Sequence, residues 1–168
     1  KDILFNSVFA AGCDRLAEFL QSPLFKNADL DLHSFKGNSL SDTITELKSW
    51  AGASRVGLAA TWDDKIGGFL CQNNRVASSK TKTGFKSIEV DTISKFMPLL
   101  AKAATNEQVK TILKDLQNPK SYGTDFPTPT TPLNATNEKD DSIFEMERYW
   151  RGPTWPITNL LLTEGLQN

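Results

Sequence analysis

Tyr149-Trp150-Arg151-Gly152-Pro153-Thr154-Trp155-Pro156-Ile157-Thr158-Asn159-Leu160-Leu161-Leu162 is the stretch whose reading decides the fold. A turn rich in Gly and Pro runs into an apolar helix, and two indoles, a phenol and a guanidinium crowd just ahead of it. Thr154 is placed to cap that helix, and Pro156 is tolerated in its first turn. Aromatic faces can stack on the apolar C–H faces of a sugar ring, while Arg151 and Tyr149 can hydrogen-bond hydroxyls or a carboxylate. Core packing at a tight turn would use the same residues equally well.

Immediately upstream, residues 119–148 hold Pro127, Pro129 and Pro132, several threonines and the acidic residues Glu138, Asp140 and Asp141, and no regular element is expected. So long a connection is uncommon in a compact domain and is usually functional when ordered. Before it, Thr105-Asn106-Glu107-Gln108 has capping-box spacing and opens a helix through Val109, Ile112, Leu113 and Leu116. A preceding helix is expected over residues 91–104, with Ile93, Phe96, Met97, Leu100 and Ala101 or Ala104 on one face. Pro98 should kink it or delay its start to residue 97. The two helices would form an antiparallel hairpin with a very short turn.

Nearer the start, Leu4, Val8, Ala11, Leu16 and Phe19 or Leu20 recur at helical spacing, with Asp14, Arg15 and Glu18 on another side. Ser22-Pro23 ends that helix, and residues 24–38 read as a polar loop. A second helix starts near Ser39 to Asp42 and carries Leu40, Ile44, Leu47 and Trp50. Gly52 is a point of interruption, and Trp62-Asp63-Asp64 marks the end. Ile66-Gly67-Gly68-Phe69-Leu70 reads as an irregular turn or short strand, since paired glycines penalise a helix. Residues 75–87 read as a solvated loop or hairpin.

The 168 residues are one domain's worth, and 39% of them are hydrophobic, enough to bury a core. An apolar pattern begins at once with Ile3, Leu4 and Phe5, and the last residues follow directly on another, so both ends are expected to fall inside helical structure. A net charge of −1 without a basic stripe excludes the usual nucleic-acid footprint, and the apolar runs are too short to span a membrane. The opening residues lack a signal-peptide layout. Cys13 and Cys71 lack metal-ligand spacing and read as buried thiols, and His33, the only histidine, reads as a loop residue. No cofactor or metal site is expected. Asn134-Ala135-Thr136 fits the N-glycosylation sequon; compartment and oligomeric state stay open.

Residues 149–161 resemble the YWRGPxWPxxNxLL signature of glycoside hydrolase family 63 and the mannosylglycerate-hydrolase-like enzymes. Three more stretches match in order. Thr61-Trp62-Asp63-Asp64-Lys65-Ile66-Gly67-Gly68-Phe69 is similar to the family's LWDEExGGF; Ile93-Ser94-Lys95-Phe96-Met97-Pro98-Leu99-Leu100-Ala101 to ISGFIPLFAG; and Tyr122-Gly123-Thr124-Asp125-Phe126-Pro127 to FGTPYGLPS. Lys102 stands where the family often has glycine, Leu70-Cys71-Gln72 replaces a more aromatic and acidic stretch, and Thr124-Asp125-Phe126 is not the commonest wording of its loop.

The resemblance implies an all-α fold, a segment of an (α/α)6 toroid of helical hairpins with long connecting loops, with both ends of the domain truncated. It implies an inverting α-glycoside hydrolase for a mannosyl or glucosyl glycoside. Such chemistry needs an acid and a base carboxyl roughly 6.5 to 9.5 Å apart, and the family carries both outside the segments matched here. Residues 1–168 are therefore expected to hold no catalytic residue. Tyr149, Trp150 and Trp155 would line a sugar subsite, Arg151 would hold the loop or touch substrate, and Gly152 and Pro153 would shape the turn. Trp62 and Asp63 would brace the barrel end. The implied partner is an oligosaccharide or small glycoside. Asp63, Asp64, Asp125, Asp140, Asp141, Glu145, Glu147 and Glu164 lie nearest the matched segments, and charged loop residues of this kind usually face water or pair with cations. A non-catalytic carbohydrate-binding or structural helical protein derived from such a barrel is the alternative.

Overall fold

The computed structural model describes residues 1–25, 39–73, 86–125, 127–136 and 141–168. His33, Phe126, Glu138 and Asp140, with most of the 75–87 segment, lie outside the described residues.

The main helix pair is α1 (Ile3–Leu20) and α2 (Leu40–Ala59). The Asp2 carboxylate accepts the Phe5 N–H at 2.9 Å and opens α1; the Ser39 hydroxyl accepts the Asp42 N–H at 3.1 Å and opens α2. Contrary to expectation, α2 runs straight through Gly52 and stops at Ala59, short of Trp62. A mid-helix glycine costs about 1 kcal/mol, less than the burial of Leu47 and Leu58 supplies at about 1.5–3 kcal/mol each.

The packed face of α1 also differs from the expected one. Ile3, Ser7, Ala10, Ala11, Cys13, Ala17 and Leu20 are buried, whereas Val8, Leu16 and Phe19 are exposed. The helix is apolar on more than one side, and its small residues face α2, where Ala17 packs with Leu47 and Ala51. Arg55 of α2 joins the pair to the next element: its guanidinium pairs with Asp14 of α1 and its Nε donates to the Ala101 carbonyl at 2.8 Å.

After α2 comes a small antiparallel hairpin of β1 (Trp62–Asp63) and β2 (Gly68–Phe69), with Trp62 opposite Phe69. Its turn is closed by the Asp63 carboxylate, which accepts the Ile66 N–H at 2.9 Å, and by Gly67 at φ +63, a left-handed conformation that favours glycine. Trp62 meets Phe69 edge to face at 5.0 Å and donates its indole N–H to Asp64. A second two-stranded pair, β3 (Gln72–Asn73) and β4 (Lys86–Ser87), follows.

The helix expected over residues 91–104 is instead a 3-10 helix, Ile93–Leu99. Pro98 supplies no N–H for an α-helical ladder and disfavours helical dihedrals at Met97, so the chain takes tighter turns. These end with the Leu100 N–H on the Met97 carbonyl at 2.9 Å, and the chain leaves through Lys102 at φ +55. The first arm of the expected hairpin is therefore not an α-helix, although Ile93, Phe96, Met97, Leu100 and Ala101 are all buried as their spacing required.

The second arm, α3 (Asn106–Leu116), opens with the expected reciprocal capping box, Gln108 N–H to the Thr105 hydroxyl at 3.3 Å and Thr105 N–H to the Gln108 side chain at 2.9 Å. The last helix, α4 (Pro156–Leu166), carries Pro156 in its first turn. Its N-cap is Trp155 and not Thr154, whose hydroxyl donates to the Pro127 carbonyl at 2.7 Å instead. One core joins these parts: Ile3 and Leu58 from the helix pair, Phe69 from the hairpin, Ile93, Phe96 and Met97 from the 3-10 helix, Ile112, Tyr122 and Leu162. Among the described residues no helix is long and apolar enough to cross a membrane.

Candidate functional site

Residues 127–133 form an extended strap without regular secondary structure, apart from their described neighbours Thr136 and Ser142, which make an isolated bridge. On its inner side the strap accepts the Ile93 N–H on the Thr130 carbonyl at 2.9 Å and donates from Leu133 to the Ser121 carbonyl at 3.1 Å. On its outer side the Thr130 hydroxyl accepts the Gly152 N–H at 3.2 Å, the Thr130 N–H reaches the Pro153 carbonyl at 3.3 Å, and the Thr131 hydroxyl donates to the Trp150 carbonyl at 3.3 Å. Asn159 of α4 adds a bond from its side-chain amide to the Thr128 carbonyl at 2.9 Å. Both Thr130 and Thr131 are buried, so their hydroxyls satisfy backbone groups that would otherwise be stranded.

What the strap carries is the aromatic turn. Trp150 and Trp155 stack at 5.0 Å with an interplanar angle of 17°, and Tyr149 meets both rings edge on, at 5.4 Å from Trp150 and 4.3 Å from Trp155. Trp155 is half-buried between its neighbours and donates its indole N–H to the Tyr149 carbonyl at 2.8 Å. Tyr149 and Trp150 are 63% and 53% exposed, so the wide apolar faces open to a ligand belong to these two rings, backed by Trp155. The structure thus brings three of the four expected residues into one cluster at the surface rather than into the core.

Arg151 has a different place. Its guanidinium pairs with Glu145, which also accepts from Arg148 Nε at 2.7 Å, while the Glu145 N–H donates to the Arg151 carbonyl at 2.7 Å. These bonds tie the residue across the turn from Glu145 to Arg151. Gly152 fits beneath that closure because a side chain there would collide with the Glu145 backbone. Glu145 and the buried threonines were not legible as site residues, although the Thr128-Pro129-Thr130-Thr131-Pro132 run, incompatible with helix and rich in hydroxyls, carried the signal.

Four of the carboxylates near the matched segments are engaged in structural contacts. Asp63 and Asp64 serve the β1–β2 turn, Glu164 pairs with Arg15, and Glu145 holds two arginines. Behind the strap, Tyr122 is buried and donates its hydroxyl to Asp91 at 2.8 Å. Burial, the charge and hydrogen bond of Asp91 and the charge of Asp115 all push its phenol well above the ordinary tyrosine value. Cys13 is buried, and burial raises its thiol; Cys71, expected to be buried, is half-buried at the start of the β3 region, and both are free. Among the described residues no three metal-ligating side chains converge. Asn134 is exposed at a turn.

The mannosylglycerate hydrolase MGH1-like glycoside hydrolase domain matches residues 1–168. The chain is 25% identical over 164 residues to a glucosylglycerate hydrolase of Mycolicibacterium hassiacum, covering 97% of this chain and 31% of that protein. It is 26% identical over 148 residues to a mannosylglycerate hydrolase of Thermus thermophilus, covering 86% of this chain and 31% of that one. Among solved structures, the family 63 mannosylglycerate hydrolase of Thermus thermophilus in complex with Tris superposes with a TM-score of 0.72 at 21% identity, over 99% of this chain and 32% of that chain. The same enzyme in complex with glucose gives a TM-score of 0.71 at 22% identity, over 99% and 32%. The chain thus spans about a third of the length of these relatives.

Proposed function

We propose, since the chain belongs to the mannosylglycerate hydrolase MGH1-like glycoside hydrolase domain family, that it supplies the sugar-binding lip of an inverting hydrolase for an α-mannosyl or α-glucosyl glycoside of a small hydroxy acid. In this reading residues 1–168 are a sector of an (α/α)6 toroid. Tyr149 and Trp150 present their faces to the sugar, Trp155 backs them, and Arg151 holds the turn through Glu145. The observation that carries the reading is the three-ring cluster, with Tyr149 and Trp150 exposed and Trp155 half-buried behind them, seated on a hydrogen-bonded strap.

Hydrolysis requires one carboxylic acid to protonate the glycosidic oxygen as its bond to the anomeric carbon breaks, and one carboxylate to take a proton from the attacking water. Glu145, the carboxylate that closes the lip, is tied to Arg148 and Arg151, and in this reading both groups are assigned to parts of the protein beyond these residues.

The test is to incubate the full-length protein with α-mannosylglycerate and α-glucosylglycerate and follow the released sugar by NMR. The β-anomer appearing first supports the proposal. An α-anomer first would overturn inversion, and binding without release would favour the non-catalytic carbohydrate-binding alternative.

A further inference from the structure

Lys95 is an unusual residue for its position. It is 2% exposed, its ammonium lies 2.8 Å from Asp91 Oδ2 and 2.5 Å from Asp115 Oδ2, and it sits over the rings of Phe96 and Tyr122 at 5.1 and 5.0 Å. The stem packs across the β1–β2 hairpin, where a Cβ at Gly68 would lie 2.8 Å from Lys95 Cδ. A lysine is almost never buried unless paired, and this one draws together four parts of the chain: the segment before the 3-10 helix through Asp91, α3 through Asp115, the hairpin through Gly68, and the Tyr122 loop. Two residues before it, the Ile93 N–H holds the Thr130 carbonyl, and Thr130 holds Gly152 and Pro153 of the aromatic turn.

We propose that Lys95 is a positioning residue for the aromatic lip. The ammonium, pulled between Asp91 and Asp115, fixes the 3-10 helix against α3, and the strap transmits that placement to Trp150 and Trp155. The inference rests on the sugar-binding reading of the lip only for its effect on substrate; the placement itself has a ligand-independent readout. Lys95→Met keeps the apolar stem and removes the charge. Asp91 and Asp115 keep 30% and 24% side-chain exposure, so their carboxylates can hydrate in the variant.

The experiment uses the full-length protein labelled with 5-fluorotryptophan, with the Trp150 and Trp155 resonances followed by 19F NMR and the KM for an α-glycosylglycerate measured alongside. Leu47→Ala, equally buried but in the α1–α2 seam, is the control for a general loss of stability. In Lys95→Met the two resonances should shift and broaden and KM rise on the order of tenfold, a fraction of what a misplaced positioning contact can cost. In Leu47→Ala both should stay at wild-type values. Unchanged resonances in Lys95→Met, or equal changes in both variants, would overturn the proposal. Shifted resonances with an unchanged KM would leave the positioning role standing and overturn the sugar-binding reading. Should Lys95→Met fail to fold, Asp115→Asn tests the same placement with the same expected and contrary results.

Discussion

Replacing Gly152 by alanine should displace the aromatic turn. A Cβ there would lie 2.5 Å from the Glu145 carbonyl oxygen, 2.8 Å from its carbonyl carbon and 3.2 Å from Met146 Cα. All three neighbours are backbone, so no side-chain rotation relieves the clash. The Glu145 backbone is itself held, its N–H by the Arg151 carbonyl at 2.7 Å and its carbonyl by the Arg148 N–H at 3.0 Å. Forcing a methyl into a packed site costs about 1–3 kcal/mol, and losing one of these hydrogen bonds adds about 0.5–1.5 kcal/mol. The bound geometry of the lip should therefore lose about 1.5–4.5 kcal/mol, roughly 12- to 1,600-fold in glycoside affinity. Calorimetric titration of the full-length variant reads the affinity, and near-UV circular dichroism reads the stacked indoles. Gly12→Ala is the matched control, because a Cβ on that exposed face of α1 meets nothing within 4 Å and removes a mid-helix glycine, stabilising by about 0.5–1 kcal/mol. Wild-type affinity and indole signal in Gly152→Ala would refute the argument that the turn's shape is set by this contact.

Lys102 holds φ +55, so Lys102→Gly removes a left-handed penalty of about 1–2 kcal/mol against an unfolded-state entropy cost of about 0.4–1 kcal/mol. Thermal unfolding should show a net gain of about 0.5–1 kcal/mol, and a loss would contradict the strain. Thr105→Ala should destabilise by about 1 kcal/mol through loss of the α3 capping box, with an unchanged unfolding free energy as the contrary result. Because the Tyr122 phenol is held neutral in the folded protein above its unfolded value, its contribution is complete below that value and is lost as pH rises through and beyond about 10. Denaturant titrations of Tyr122→Phe should lack part of the alkaline fall in stability that the wild type shows; parallel curves would contradict this.

How much of this was legible in the sequence depended on whether the signal was local. The capping box at Thr105, the Gly67-Gly68 turn, the termination of α1 before Pro23 and the buried set Ile93, Phe96, Met97, Leu100 and Ala101 follow from dihedral preference and spacing, and all are present. Spacing could not choose the packed face of α1, because that helix is apolar on two sides and close approach to α2 selected its small residues. Nor could it tell a kinked α-helix from a 3-10 helix at Pro98, where both bury the same residues.

The site was half legible for a related reason. The clustering of Tyr149, Trp150 and Trp155 is written in adjacent residues, but Thr154 was drawn from its capping role by Pro127, and Arg151 found its partner in Glu145, through contacts that only the folded strap creates. Lys102 is the converse case: it holds a left-handed backbone that favours glycine, at the position where the resemblance led glycine to be expected more often than lysine.

The claim at the centre of this account is that the Tyr149–Trp155 cluster binds sugar. Its most direct test is the dissociation constant of an α-glycosylglycerate for the full-length protein, by calorimetry, in wild type and in Trp155→Ala. Removing the ring that backs Trp150 and Tyr149 should weaken binding by about 1–2 kcal/mol, roughly 5- to 30-fold. An unchanged dissociation constant in a folded Trp155→Ala protein would contradict it.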